Sequence, residues 1–303
     1  NTFPGFLLLG NRVVASVGLS IWPGTAGGEI FQHQVVALDS VPVTSVEALR
    51  ARVRALSAGT PVEYRMRSGD REIVKTIETR NFGWRDFALL HGLYLVNGVC
   101  FAFAALVAIR RRQSNAARTC APALMIAAMW VLTALELYGP NHLFRLHALC
   151  EAMLFPAALV MALGFPAPSA CLLRYPWLPR AIYAVGACLA LAYQASLNHA
   201  VGYSAMHLLA LSAFGLSILT LVIAELERLR RPLSLAAREC MKVVAIGAVI
   251  ALGIPIAFTL AEMLTGGRSP QNALALSGGI FPLALSYALL RVGDSGNLRR
   301  ELA

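Results

Sequence analysis

The sequence predicts a small α+β domain followed by an all-α, polytopic membrane bundle of seven transmembrane helices. The chain of 303 residues is 57% hydrophobic and only 14% charged, and its mean hydropathy is +0.63. Soluble proteins carry about a quarter charged residues. The shortage of charge falls almost wholly after Trp84. Residues 1–85 are therefore predicted to be water-soluble, and residues 86–292 to lie in lipid.

The first 85 residues alternate short β-type runs with turn signals such as Pro23-Gly24 and Ser68-Gly69-Asp70. Ser45 is a natural helix N-cap, and apolar residues follow it at helical spacing. These patterns predict one amphipathic helix among several strands. The predicted strands cover residues 12–17, 35–38, 62–67 and 73–78.

Residues 26–53 carry an ordered set of short motifs, AGGEIFQHQVVALDSVPVTSVEALRARV. This run resembles the bacterial PDZ domain, in which an AG-led turn precedes a valine-rich strand, a turn, a P-V pair and the groove helix. His33-Gln34 replaces the usual Gly-Asp, and Val17-Gly18-Leu19 is the nearest match to the carboxylate-binding loop. The resemblance implies a PDZ-like domain over residues 1–85.

A PDZ domain binds peptides by adding a strand to a sheet edge. The resemblance implies a peptide groove lined by Val17, Gly18, Leu19, Leu49 and Val53. The alternative is a structural or docking module whose groove is degenerate.

Seven hydrophobic segments follow, each close to the roughly 20 residues that a bilayer requires. The predicted spans are 86–109, 118–138, 143–165, 180–198, 203–228, 238–263 and 272–292.

Basic residues occupy alternate loops between these segments. One side of the bundle carries Arg145 and Arg268, and the other side carries fourteen basic residues. The positive-inside rule places the rich side in the cytoplasm, with residues 1–85 outside and the chain end inside. The arginines are therefore interpreted as topology signals and not as a nucleic-acid surface. The fourteen basic residues of the rich side are Arg110, Arg111, Arg112, Arg118, Arg174, Arg180, Arg228, Arg230, Arg231, Arg238, Lys242, Arg291, Arg299 and Arg300.

Two membrane motifs resemble the sensor regions of bacterial sensor histidine kinases. One is LFPAAL at 154–159 running to GFP at 164–166, and the other is FPLALSYALLR at 281–291. With a PDZ-like domain outside, the arrangement is similar to the competence quorum-sensing kinases and their relatives. The resemblance implies a last helix that leads to a cytoplasmic output domain.

Residues 293–303 are then expected to begin a cytoplasmic linker. No phosphoacceptor His box or ATP lid follows the last helix, so this chain is predicted to be non-catalytic, without cofactor, while the full-length protein would be a histidine kinase. A homodimer through the output region and a signal anchor before Asn1 are also expected. All six cysteines lie after residue 85 without a CxxC pair, and they are interpreted as packing residues.

Ionisable residues gather at the predicted outer ends of the helices. His147 and Glu151 are four apart and share one helix face. Polar groups in membrane segments indicate functional sites. The set is predicted to sense a ligand or a proton, with a metal site or a lipid-headgroup position as alternatives. It comprises Glu136, His147, Glu151, His207 and Glu262.

The sequence thus predicts a multi-pass sensory module of a bacterial inner membrane. It would contact the lipid bilayer, detect a peptide or small extracytoplasmic ligand, and pass a helix shift to a kinase or cyclase domain. The alternatives are a transporter or channel with an accessory domain, and a scaffold that binds partner C-termini. No metal is assigned.

Overall fold

The structure, a computed structural model, describes residues 2–19, 21–26, 28–166, 168–229, 235–264 and 277–294. These residues form a mostly helical protein with a small N-terminal β region, as the sequence predicts. The strands are β1 (Thr2–Phe3), β2 (Gln34–Leu38), β3 (Val41–Pro42), β4 (Pro61–Ser68), β5 (Arg71–Glu78) and β6 (Arg80–Asn81).

The N-terminal domain contains an antiparallel four-stranded sheet in the order β3-β2-β4-β5, beside a two-stranded pair of β1 and β6. Helix α1 (Val46–Arg54) follows β3. Ser45 caps it by accepting a hydrogen bond from the Ala48 N–H at 3.1 Å, which confirms the predicted N-cap. Leu49 and Val53 are fully buried in the core of this domain, together with Tyr64 of β4.

The helical part begins at residue 84, one residue after Gly83. Helices of 19 to 30 residues coincide with the first six predicted spans, and the described part of the seventh contains a helix of 15 residues. A short helix, α5, was not predicted. The helices are α2 (Trp84–Arg110), α3 (Asn115–Thr133), α4 (Phe144–Gly164), α5 (Ala170–Arg174), α6 (Leu178–Ser196), α7 (Ala200–Leu229), α8 (Leu235–Leu264) and α9 (Ile280–Asp294).

Among the described residues, four helical segments are long and apolar enough to cross a membrane. They are α2, α3, α4 and residues Ala200–Ala224 of α7, while the apolar part of α9, Ile280–Arg291, is shorter. These segments indicate a membrane protein, and the count of seven transmembrane helices stays a prediction.

Helix α4 is the central helix of the bundle. It packs against α3, α6 and α7, while α9 packs against α2 and α8. Of the 18 most apolar consecutive residues in each helix, 67% are buried in α4, compared with 22% in α7 and 33% in α2. His147 and Glu151, the two buried polar side chains that the structure describes on α4, therefore face protein rather than lipid.

The N-terminal domain rests on one end of this bundle. Val13, Val17 and Trp22 share a buried cluster with Leu90, Phe144 and Leu197 of the helical part. The Trp22 indole donates to Asp86 at 3.0 Å, and the Asn11 amide donates to the Leu197 carbonyl at 3.0 Å. The domain thus covers the start of α2 and α4 and the turn between α6 and α7.

Helices α4 and α6 approach closely at Gly186. A Cβ added there would overlap Cγ of Pro156, which belongs to a rigid ring that cannot rotate away. We expect Gly186→Ala to lower the free energy of unfolding by about 2 kcal/mol, because the helices must separate. Gly92→Ala is the matched control, since a Cβ there meets nothing within 4 Å. Unfolding by SDS titration measures both, and equal stabilities would contradict this packing.

Candidate functional site

Glu151 is the centre of a buried polar cluster within the bundle. Its side chain is 1% exposed and lies on α4. The Oε1 atom accepts a hydrogen bond from His207 Nδ1 of α7 at 2.7 Å and one from the Tyr193 hydroxyl of α6 at 3.3 Å. A single carboxylate oxygen therefore joins three helices.

His147 lies one turn before Glu151 on the same face of α4. Its Nδ1 is 3.0 Å from the Thr133 hydroxyl at the end of α3. Its Nε2 is 3.8 Å from Glu151 Oε2. The ring stacks with Trp130 of α3 at a centroid distance of 5.8 Å. His147 thereby adds α3 to the helices that meet at this point, and we name Thr133, His147, Glu151, Tyr193 and His207 the Glu151 cluster.

Aromatic rings shield the cluster on the side of the N-terminal domain. Tyr203 stacks on His207 with a centroid distance of 5.7 Å and an interplanar angle of 10°. Phe144 and Tyr193 contact the Tyr203 ring at 5.8 and 5.7 Å. These rings belong to the hydrophobic cluster that the N-terminal domain completes. The Glu151 carboxylate is consequently kept from water by the docked domain and by the helices.

The structure brings three of the five predicted sensing residues together, namely His147, Glu151 and His207. Glu136 lies elsewhere, because its carboxylate accepts from the His142 and Leu143 N–H groups at 2.7 and 2.9 Å, next to the start of α4. The Glu262 side chain lies outside the described residues.

The sequence did not predict Tyr193 and Thr133 as site residues, although Tyr193 contacts Glu151 and Thr133 contacts His147. A tyrosine near the end of an apolar helix is a weak signal, because it also suits the membrane interface. Its hydroxyl needs a partner once it is buried. Tyr193 is 1% exposed, and Glu151 supplies that partner.

The predicted peptide-groove residues occupy two different hydrophobic clusters. Leu49 and Val53 point into the core of the N-terminal domain. Val17 and Leu19 pack in the cluster shared with the helices. A Cβ on Gly18, between them, would lie 2.5 Å from Thr25 Cγ2, so glycine is required there for packing.

Helix α1 contacts the bundle through Arg50. Its guanidinium donates to the carbonyls of Leu8 and Tyr138, each at 3.1 Å, and to that of Gly139. Burial lowers the pKa of Arg50 from its ordinary value, and the nearby Glu47 carboxylate opposes this shift. Arginine stays charged even so, and it ties the N-terminal domain to the turn between α3 and α4.

No group of three or more His, Cys, Asp or Glu side chains that could hold a metal ion is found in the part of the chain that the structure describes. In the Glu151 cluster, His207 contacts the carboxylate directly. The arrangement is therefore suited to binding and exchanging protons.

No protein-family model, curated protein or solved structure matches this chain. Fold and site define a mostly helical protein with a small N-terminal β region and helices able to cross a membrane. Its distinguishing feature is a buried carboxylate–imidazole cluster beneath the docked domain.

Proposed function

We propose that this chain is the sensory module of a membrane signalling protein. A signal that reaches the end covered by the N-terminal domain changes the Glu151 cluster. The helices then shift, and α9 passes the shift to a cytoplasmic kinase or cyclase domain. The observation that carries the proposal is the buried Glu151 carboxylate, which joins α4, α6 and α7 under that domain.

The energetics of the cluster favour a switch. An ionisable group within a membrane bundle is costly unless it is paired. Gain or loss of a proton or a hydrogen bond at Glu151 therefore changes which helices the carboxylate connects. Because α7 packs on α8 and α8 packs on α9, a movement of α7 has a continuous route to α9. A signal shifts such an equilibrium only if it prefers one of the two arrangements.

The proposal includes seven membrane spans, an extracytoplasmic PDZ-like domain and a bacterial inner-membrane location. The arginine distribution supports this orientation. The domain's docking on the bundle supports a role in receiving the signal rather than in recruiting distant partners, because α1 is engaged through Arg50.

A proton-coupled transporter is the second candidate. Buried carboxylates within membrane bundles also serve as proton relays in transporters. The two candidates differ in one measurable property, since a transporter moves its substrate across the membrane and a sensor does not.

The test compares hydrogen–deuterium exchange of the full chain with that of Glu151→Gln in lipid nanodiscs. We expect altered exchange in α9 and in the adjoining part of α2, far from the substitution, because the helices repack. Glu239→Gln is the control, since Glu239 is exposed and pairs only with an exposed Lys242 among the described residues. Changes confined to residues next to Glu151 would refute the sensory function. Glu151-dependent proton flux into liposomes would establish the transporter instead.

A further inference from the structure

The facing atoms of His147 and Glu151 are too far apart to form a hydrogen bond. The 3.8 Å between Nε2 and Oε2 exceeds the length of a charge-assisted hydrogen bond, which is about 2.7–2.9 Å. Both hydrogen bonds that the described residues make to this carboxylate end on the other oxygen, Oε1. A buried carboxylate oxygen therefore lies beside an imidazole nitrogen without a shared proton.

The hydrogen-bond partners of Thr133 explain this separation. A threonine hydroxyl has one hydrogen to donate. Thr133 Oγ1 lies 2.7 Å from the Met129 carbonyl and 3.0 Å from the Trp130 carbonyl, so its hydrogen is used on the backbone of α3. The hydroxyl oxygen must then accept from His147, which puts the ring proton on Nδ1. In neutral His147, Nε2 carries a lone pair that faces Oε2.

We propose that His147 Nε2 and Glu151 Oε2 form a proton-binding site, so that the signal sensed by this chain is acidification. A hydronium ion transfers a proton to the Nε2 lone pair: one O–H bond of hydronium breaks, an N–H bond forms, water is released, and imidazole becomes imidazolium. The new N–H donates to Oε2 and closes the gap. The inference rests on the proposed function, which it deepens by naming the signal.

The groups around the site determine what the proton does. Helix α3 presents Thr133 and Trp130, neither of which titrates, α6 presents Tyr193, and α7 presents His207 and Tyr203. The turn before α4 contributes Tyr138, which interacts with the Glu151 carboxylate through its charge rather than through a hydrogen bond. Glu151 is the one acid among these groups.

Two imidazoles therefore compete for one carboxylate. When His147 becomes charged, it draws Glu151 toward its own helix and repels a proton on His207. The link between α4 and α7 weakens as a result. This direction follows from geometry, since His147 and Glu151 share α4 whereas His207 belongs to α7.

Trp130 provides a built-in reporter for the test. Its ring stacks on His147, and an imidazolium in contact with an indole quenches its fluorescence. For the full chain in nanodiscs, titrated from about pH 8 to 3, a range that covers protonation of exposed and of buried histidines, we expect fluorescence to fall on acidification. His147→Asn and Trp130→Phe should both abolish the fall, whereas His142→Gln, at an exposed position, should leave it intact. Glu151→Gln should move its midpoint to lower pH.

A quench that survives His147→Asn, or that is lost only in His207→Asn, would overturn the proposal. Nitrogen-15 NMR of the histidine-labelled wild-type chain reports which ring nitrogen carries the proton, and it does not depend on whether a variant folds. At neutral pH we expect His147 with its proton on Nδ1, and a proton on Nε2 would overturn the site. The two proposals can fail separately. If His147 binds a proton but Glu151→Gln leaves hydrogen–deuterium exchange in α9 unchanged, the proton site is retained and the sensory function is refuted.

Discussion

Replacing Glu151 by alanine is expected to lower the free energy of unfolding by about 3 kcal/mol, as found when one partner of a buried ion pair is removed. The substitution leaves His207 Nδ1 and the Tyr193 hydroxyl without their shared acceptor. It also opens a space beside α4 that the surrounding rings fill only in part. SDS titration of the purified chain, followed by circular dichroism, measures the change.

Two comparisons identify the cause of this loss. Glu151→Gln keeps an acceptor oxygen and the side-chain volume, so we expect a smaller loss. Glu239→Ala removes an exposed carboxylate from α8 and should change stability by less than about 0.5 kcal/mol. A Glu151→Ala variant as stable as the wild type would show that the carboxylate does not hold α4, α6 and α7 together.

Replacing Arg50 by alanine is expected to loosen the N-terminal domain from the bundle by about 2 kcal/mol, which corresponds to roughly a thirtyfold higher population of undocked domain. The substitution removes charged hydrogen bonds to the carbonyls of Leu8, Tyr138 and Gly139. We expect faster proteolysis near Gly83, where the domain joins α2, and faster amide exchange at Val13 and Val17.

Arg54→Ala is the matched control, because Arg54 lies on the same helix one turn later and is exposed. It removes the same charge without removing a contact to the bundle. Equal protection of Val13 and Val17 in both variants would show that the apolar contacts of Trp22 and its neighbours are sufficient for docking.

Most helices and strands were predictable because their signals are local. The strand predicted over residues 12–17 was wrong, since only isolated bridges form there, at Val13 and Val14. The apolar segments, the Ser45 cap and the β-type runs depend on residues near one another in the chain. The same holds for His147 and Glu151, since a spacing of four fixes a shared helix face. The position of Glu136 was not predictable, because its carboxylate is used by backbone N–H groups that a turn brings to it.

The sequence placed His207 and Glu151 at the same end of the helices, and the structure brings them into contact at 2.7 Å. Tyr193 illustrates the limit of that reasoning. Depth along a membrane helix follows from sequence position, but the direction in which the side chain points depends on how α6 rotates against α4. At that interface Gly186 lies close to Pro156, a contact between residues 30 positions apart that local patterns do not reveal.

The sequence by itself determined that this protein has a small α+β domain before a set of apolar helices, and that ionisable residues gather at one end of them. Hydrophobic period and charge placement are properties of short stretches, and they carry that information directly. Only the tertiary structure decided that one carboxylate accepts hydrogen bonds from His207 and Tyr193 beside a second histidine, His147, and that the N-terminal domain covers them. Those contacts join residues far apart in the chain, so they exist only once the helices have packed.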